Sequence, residues 1–174
     1  MQPDDPIALL LEGRYPDPQT GELLGAQSRS VVIEPSLDGA EAELVAALGL
    51  GPNLAVVSDV DTRAALGLRV ERALGARFAV QSVVLGHRPH ADTETLARVS
   101  ELVAARTDAI VAVGSGTLND LSKMAAFERG IPQLVFATAP SMNARMADTR
   151  VRTVAVCTHV LASIARLTTP ITTG

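Results

Sequence analysis

Four short runs in this chain have an unbroken apolar centre of three to five residues: "SVVIEP", "NLAVVSD", "AIVAVG" and "PQLVFAT". A strand with one face in water alternates apolar and polar residues, because successive side chains point to opposite faces. Unbroken apolar runs need cover on both faces, which a parallel sheet flanked by helices provides. Helix-forming stretches stand between them. "SLDGAEAELVAALGLG" offers Ser36 as an N-cap with Gly49 and Gly51 as stops, and "VDTRAALGLRVERALG" ends at Gly75. "HADTETLARVSELVAARTD" sets Leu96, Val99, Leu102 and Val103 along one helical face. With "RFAVQSVVLG" as a further strand and "TLNDLSKMAAFERG" as a further helix, the alternation predicts an α/β fold. It is a doubly wound, mostly parallel sheet with helices on both faces, Rossmann-like in layout. Aromatic residues make up only 2% of the chain, so its core is expected to be Ala, Val, Leu and Ile.

Charge and length narrow the function classes. A chain of 174 residues fits one domain. A net charge of −4 argues against nucleic-acid backbones and anionic membranes as partners. The first twenty residues carry acids where a secretory signal carries bases. No apolar stretch approaches the ~20 residues of a membrane helix. A cytoplasmic protein is expected. The single Cys157 excludes an internal disulfide framework.

Three segments follow from the patterning. Residues 1–30 read as a Pro/Gly/Asp-rich arm with turns, and 31–143 as the α/β domain. Residues 144–174 read as an atypical tail, with four arginines against one acid where the preceding residues carry eleven bases against eighteen acids. The tail holds seven threonines, and its strand and helix signals do not resolve. Because the character switches directly after Asn143, the tail is expected to be either a frameshifted or truncated readout or the end of an intact, divergent short protein.

The chemistry concentrates at "VAVGSGTLND". Glycines between a strand and a helix let backbone approach a phosphate, and the helix N-terminus favours negative charge. Gly114, Ser115, Gly116, Thr117 and Leu118 would form that cradle. A plain tight turn with Thr117 as the helix cap is the alternative. Lys123, the only lysine, stands three residues from Asp120, so the two share a helix face as an ion pair or as part of the site. Asp59 ends the strand "LAVVSD", where an acid either binds a ribose diol or caps the next helix. Thr138, Ala139, Pro140 and Ser141 follow a later strand and would reach a second part of the same ligand, or form a proline-shaped turn. His87 and His90 lack acids or cysteines at metal spacing, so no metal ligand is assigned. No nucleophile–base pair stands out either, and no catalytic residue is assigned.

Taken together, "DAIVAVGSGTLNDLSKMAAFERGIPQLVFATAPSMN" closely resembles the sn-glycerol-1-phosphate dehydrogenases. These belong to the superfamily of iron-containing alcohol dehydrogenases, glycerol dehydrogenase and dehydroquinate synthase. "SVVIEPSL" and "LAVVSDVDTRAALG" also fit that family's nucleotide-binding half, so the resemblance covers roughly residues 7 to 143. It implies NAD or NADP as cofactor, with Asp59 at the adenosine ribose, Gly114 to Leu118 at the pyrophosphate, and Thr138 to Ser141 continuing the site. Asn143 stands where the family has a substrate-contacting aspartate. The implied reaction is hydride transfer between NAD(P)H and dihydroxyacetone phosphate, a phosphorylated polyol being the product. In an intact member a divalent zinc, nickel or iron polarises the carbonyl.

This chain departs from the family after Asn143, with Ala144, Arg145 and Ala147 in place of the usual Gly, Tyr and hydroxyl residue. The C-terminal helical metal domain is read as absent, so the chain is expected to be inactive alone and to self-associate through apolar surface. A stand-alone dinucleotide-binding or regulatory module is the competing reading. A third, from "GSGT", is a lipid or NAD kinase turn, which needs an acid where Ser115 stands.

Overall fold

The computed structural model describes residues 6–24, 28–34, 37–137 and 153–158. A short helix α1 (Pro6–Leu11) leads into a two-stranded antiparallel hairpin, β1 (Tyr15–Pro16) with β2 (Leu23–Leu24). Strand β3 (Ser28–Glu34) opens the main sheet, followed by α2 (Glu41–Ala46) and β4 (Asn53–Asp59). A continuous helical segment then runs as α3 (Val60–Thr62), one π-helical stretch (Arg63–Gly67) and α4 (Leu68–Gly75). Next come β5 (Ala79–Leu85), α5 (Thr93–Leu102), β6 (Ala109–Gly114), α6 (Gly116–Arg129), β7 (Gln133–Ala137) and β8 (Thr153–Thr158).

Six strands form one sheet in the order β3-β8-β7-β6-β4-β5, and every neighbouring pair is parallel. The apolar runs have the cause expected of them. Leu54, Val56, Val111, Val113, Leu134 and Phe136 pack on one face with Val45 of α2 and Val70 and Leu74 of α4. Ala55, Val57 and Ile110 turn the other way, against Val99 of α5 and Leu118, Leu121 and Ala125 of α6. Each buried Val, Leu or Phe contributes about 1.5–3 kcal/mol of transfer free energy, and this two-sided cover fixes the doubly wound layout.

Three local expectations need correction. Helix α2 begins at Glu41 with Ala40 at its N-cap and no side-chain cap bond. The turn before it is shaped instead by Gly39 at φ 82, whose amide donates to Glu41 Oε2 at 2.9 Å. Ser36 is therefore not the cap, and it lies outside the described residues. Strand β5 is not apolar throughout: Val83 and Leu85 are buried while Ser82 and Val84 are exposed, as suits a strand at the sheet edge. Strand β8 falls inside the segment 144–174, where no strand resolves from sequence, and inserts between β3 and β7. Its run "TVAVCT" is rich in β-branched residues, which suit a strand; the threonine and arginines just before it conceal it.

The amino end of the sheet is closed by side chains. Asp108 Oδ2 accepts from the Asn53 amide at 2.8 Å and from its Nδ2 at 2.9 Å. Its carboxylate occupies the space above Gly51, where an added Cβ would lie 2.3 Å from Asp108 Cγ. Arg129, at the end of α6, donates to the carbonyls of Ser100 (2.7 Å), Val103 (2.6 Å) and Ala104 (3.2 Å). Ser100 stands in the last turn of α5 and Val103 is its C-cap, whose carbonyls a helix end leaves unpaired, and Ala104 opens the next loop. Gln81 completes the lock, donating to Leu102 O at 2.7 Å and accepting from the Ala104 amide at 2.9 Å.

Candidate functional site

From β4 the chain passes outward to β5, and then returns past β4 to place β6 on its other side. The direction of winding reverses between β4 and β6, so their carboxyl ends flank the crevice where open α/β sheets hold ligands. The residues at those two ends are Asp59 and Gly114.

Asp59 is buried and does the work of a helix cap. Its Oδ1 accepts the Thr62 amide at 2.7 Å, and its own amide donates to Thr62 Oγ1 at 3.1 Å. This reciprocal box satisfies the first turn of α3 internally. Of the two readings open for Asp59, capping is the geometry present.

The glycine turn is built differently. Gly114 has φ 147, in the region that favours glycine, and a Cβ there would stand 2.4 Å from Leu118 Cδ1 and 2.9 Å from Thr62 Cγ2. Only glycine fits. Ser115, not Thr117, occupies the N-cap of α6, and its side chain makes no cap bond. The first turn of α6 carries no acid. A fourteen-residue helix therefore presents its first amides with no carboxylate or cap hydroxyl upon them, at the positive end of its dipole. Gly116 is exposed, and a Cβ built on it meets nothing within 4 Å. The turn is therefore open at Gly116 among the described residues.

Thr62 is the site residue that sequence reasoning missed. It links the capping box of α3 to the wall of the glycine turn. The spacing Asp59-x-x-Thr62 was its available signal. The π-helical stretch begins one residue later, and such turns favour functional places. Helix α6 is pinned by a buried pair, Gln133 Nε2 donating to Asn119 Oδ1 at 2.9 Å.

Lys123 pairs with Asp120, Nζ to Oδ1 at 3.3 Å, and its side chain is 13% exposed. It stands seven residues beyond Gly116, about 10 Å of helix rise. The i,i+3 ion pair is the geometry present. A separate cleft of about 270 Å³ runs between α5 and α6, bordered by Asp92, Leu96, Leu121 and Met124 and touching none of Gly114 to Leu118. His87 sits 3.2 Å from Asp61. Thr138, Ala139, Pro140, Ser141 and Asn143 lie outside the described residues, directly after β7. Among the described residues no three His, Cys, Asp or Glu side chains converge as a cation site, so these residues do not fit the family's metal and no step is derived through one. No helix among them is long and apolar enough to cross a membrane.

Residues 32–158 match the family model described as iron-containing alcohol dehydrogenase. The chain belongs to this family. Members are dehydrogenase-type oxidoreductases, and the match runs past Asn143 through β8. Among curated iron-containing alcohol dehydrogenase relatives, the glycerol-1-phosphate dehydrogenase [NAD(P)+] of Bacillus velezensis is 36% identical over 93 residues, 51% of this chain and 24% of that protein. The chain thus spans about a quarter of the length of that relative. Two solved structures share the fold. Glycerol dehydrogenase from Schizosaccharomyces pombe superposes with a TM-score of 0.60 at 14% identity, covering 75% of this chain and 37% of that one. Sulfoacetaldehyde reductase from Bifidobacterium kashiwanohense, solved in complex with NAD+, gives 0.58 at 16% identity, covering 76% of this chain and 45% of that one. The resemblance read from the glycine turn and its neighbours is borne out, and so is the doubly wound parallel sheet.

Proposed function

We propose that Gly114 to Leu118 hold the pyrophosphate of NAD or NADP, and that this chain is the cofactor-binding portion of a glycerol-1-phosphate dehydrogenase-like oxidoreductase. The observation that carries the reading is the uncapped start of α6 at the point where the sheet reverses its winding, with open space above Gly116. Backbone amides of Gly116, Thr117 and Leu118 would donate to phosphate oxygens, with the Thr117 hydroxyl beside them. Asp59 keeps Oδ1 on the Thr62 amide, and its second carboxylate oxygen would take the adenosine ribose. Thr138, Ala139, Pro140 and Ser141 would extend the cofactor site from the end of β7. Asn143 would meet the substrate, an amide replacing the family's carboxylate.

When bound, the dinucleotide would supply the hydride, and this chain's own residues would bind its phosphates and orient it. The cofactor unit spans residues 31–143 and draws β8 from the segment beyond. Dihydroxyacetone phosphate is the expected substrate class, supported by the names of the curated relatives.

Calorimetric titration of the full chain with NADH tests the cradle. Wild type should bind, and Gly116→Val should bind at least tenfold more weakly while keeping its circular dichroism, because a Cβ here meets no described atom within 4 Å and the side chain would crowd the proposed phosphates instead. Equal binding by the two proteins would sink the assignment.

A further inference from the structure

The carboxyl end of β5 carries a feature that neither the capping box nor the glycine turn uses. Asp59 pairs in register with Leu85, so the loop Gly86 to His90 leaves the sheet beside the acid. His87 reaches back from it, Nδ1 lying 3.2 Å from Asp61 Oδ1 in the first turn of α3, two residues past Asp59. The next residue, Arg88, is exposed and has φ 47, the one non-glycine with positive φ among the described residues. Pro89 disfavours the right-handed helical conformation for it. Arg88 makes no hydrogen bond or ion pair among the described residues. An unmatched guanidinium thus follows directly on a residue docked against the α3 side of the acid.

We propose that this loop determines which dinucleotide the chain accepts, with Arg88 as the contact for the 2′-phosphate of NADP. The inference rests on the dinucleotide reading of the previous subsection. A carboxylate at the ribose hydrogen-bonds the 2′-hydroxyl of NAD and repels the added phosphate of NADP. A planar guanidinium offers paired donors that match phosphate geometry and offset that repulsion. Asp61 adds a second carboxylate two residues further on, with His87 Nδ1 3.2 Å from its Oδ1. His87 is a positioning residue here: its contact with Asp61 holds the loop against α3, and so holds Arg88 at the ribose side.

The test is titration of the full chain with NADPH and NADH, for wild type, Arg88→Asn, Arg88→Lys and His87→Ala. Asparagine tolerates the left-handed conformation, so Arg88→Asn removes the charge without disturbing the turn. NADPH affinity should fall about tenfold in Arg88→Asn while NADH affinity changes less than about twofold, the size expected of one charge-assisted phosphate contact. Arg88→Lys should recover part of the loss, and His87→Ala should lower the NADPH-to-NADH ratio by a smaller factor. An unchanged ratio in Arg88→Asn overturns the inference and leaves the cradle standing. Failure of wild type to bind either dinucleotide overturns both.

Discussion

The two ends of this sheet use the same kinds of residue to opposite effect. At the amino end, Gly51 is glycine because the Asp108 side chain fills the space where a Cβ would go. At the carboxyl end, no described residue comes within 4 Å of a Cβ built on Gly116. At the amino end the last carbonyls of α5 are taken by Arg129 and Gln81. At the carboxyl end the first amides of α6 receive no side chain from Ser115. Helix α5 and the α3 segment do receive caps, from Asp92 and Asp59. A polar backbone terminus closed by its own side chains stabilises the fold, and one left unclosed is available to an anion from outside.

The largest break in that contrast is at Gly114. Gly114→Ala adds a methyl at φ 147 against Leu118 and Thr62, combining backbone strain with overpacking. The expected loss is about 3 kcal/mol or more of unfolding free energy, read from urea titration of the far-ultraviolet signal. A loss below about 1 kcal/mol would show that the turn relaxes and that its shape is not fixed by the fold.

Next comes the lock at the amino end. Arg129→Ala removes a donor from the carbonyls of Ser100 in α5, of its C-cap Val103 and of Ala104 in the next loop, the last still bonded by the Thr107 amide, and should cost about 2 kcal/mol. Arg129→Lys should recover only part, since one ammonium cannot span the fork's positions. Dinucleotide binding should survive both changes, because the lock lies at the far end of the strands. A variant that kept its stability and lost binding would erase the division between the ends.

The smallest effect separates the ends by pH. Asp108 is held below the ordinary carboxyl value of 3.8 by hydrogen bonds from Asn53, the backbone amide first and the side chain second. Asp92 is held below it by the Thr95 backbone amide and then the Thr95 side chain. A carboxyl whose folded pKa is depressed stabilises the fold above its unfolded value, and that contribution is lost as pH falls through the folded one. The thermal midpoint should therefore drop below pH about 4, and Asp108→Asn should flatten that acid limb. An identical acid limb in the variant would mean that the Asn53 contact contributes nothing.

The sequence made some of this contrast legible. Strands β4 and β6 are bounded in sequence as in space, because Gly51-Pro52 and Asp59 punctuate one and Asp108 and Gly114 the other. The glycine turn was visible for the same local reason. The amino-end lock was not, since Asn53 meets Asp108 across 55 residues and Arg129 meets Ser100 across 29. Capping was legible only as an alternative: Asp59 carries the right side chain for a cap or for a ribose, and its contact with Thr62 decides the folded geometry. Thr117 looked the better cap of α6, but the strand delivers Ser115 to that position first. Strand β8 escaped because its place is set by pairing with β3 and β7, which no local signal in its own segment shows.

The insertion of β8 also bears on assembly during synthesis. β3 finds its parallel partner about 125 residues later in the chain, a contact of very long loop closure that slows the final step of folding. Until residue 158 has left the ribosome, β3 lacks its neighbour and β7 offers a bare ladder edge beside β6. An unpaired apolar strand edge invites a second chain. The nascent protein is thus most vulnerable to aggregation in the interval between completing β7 and completing β8, and chaperone demand should peak there.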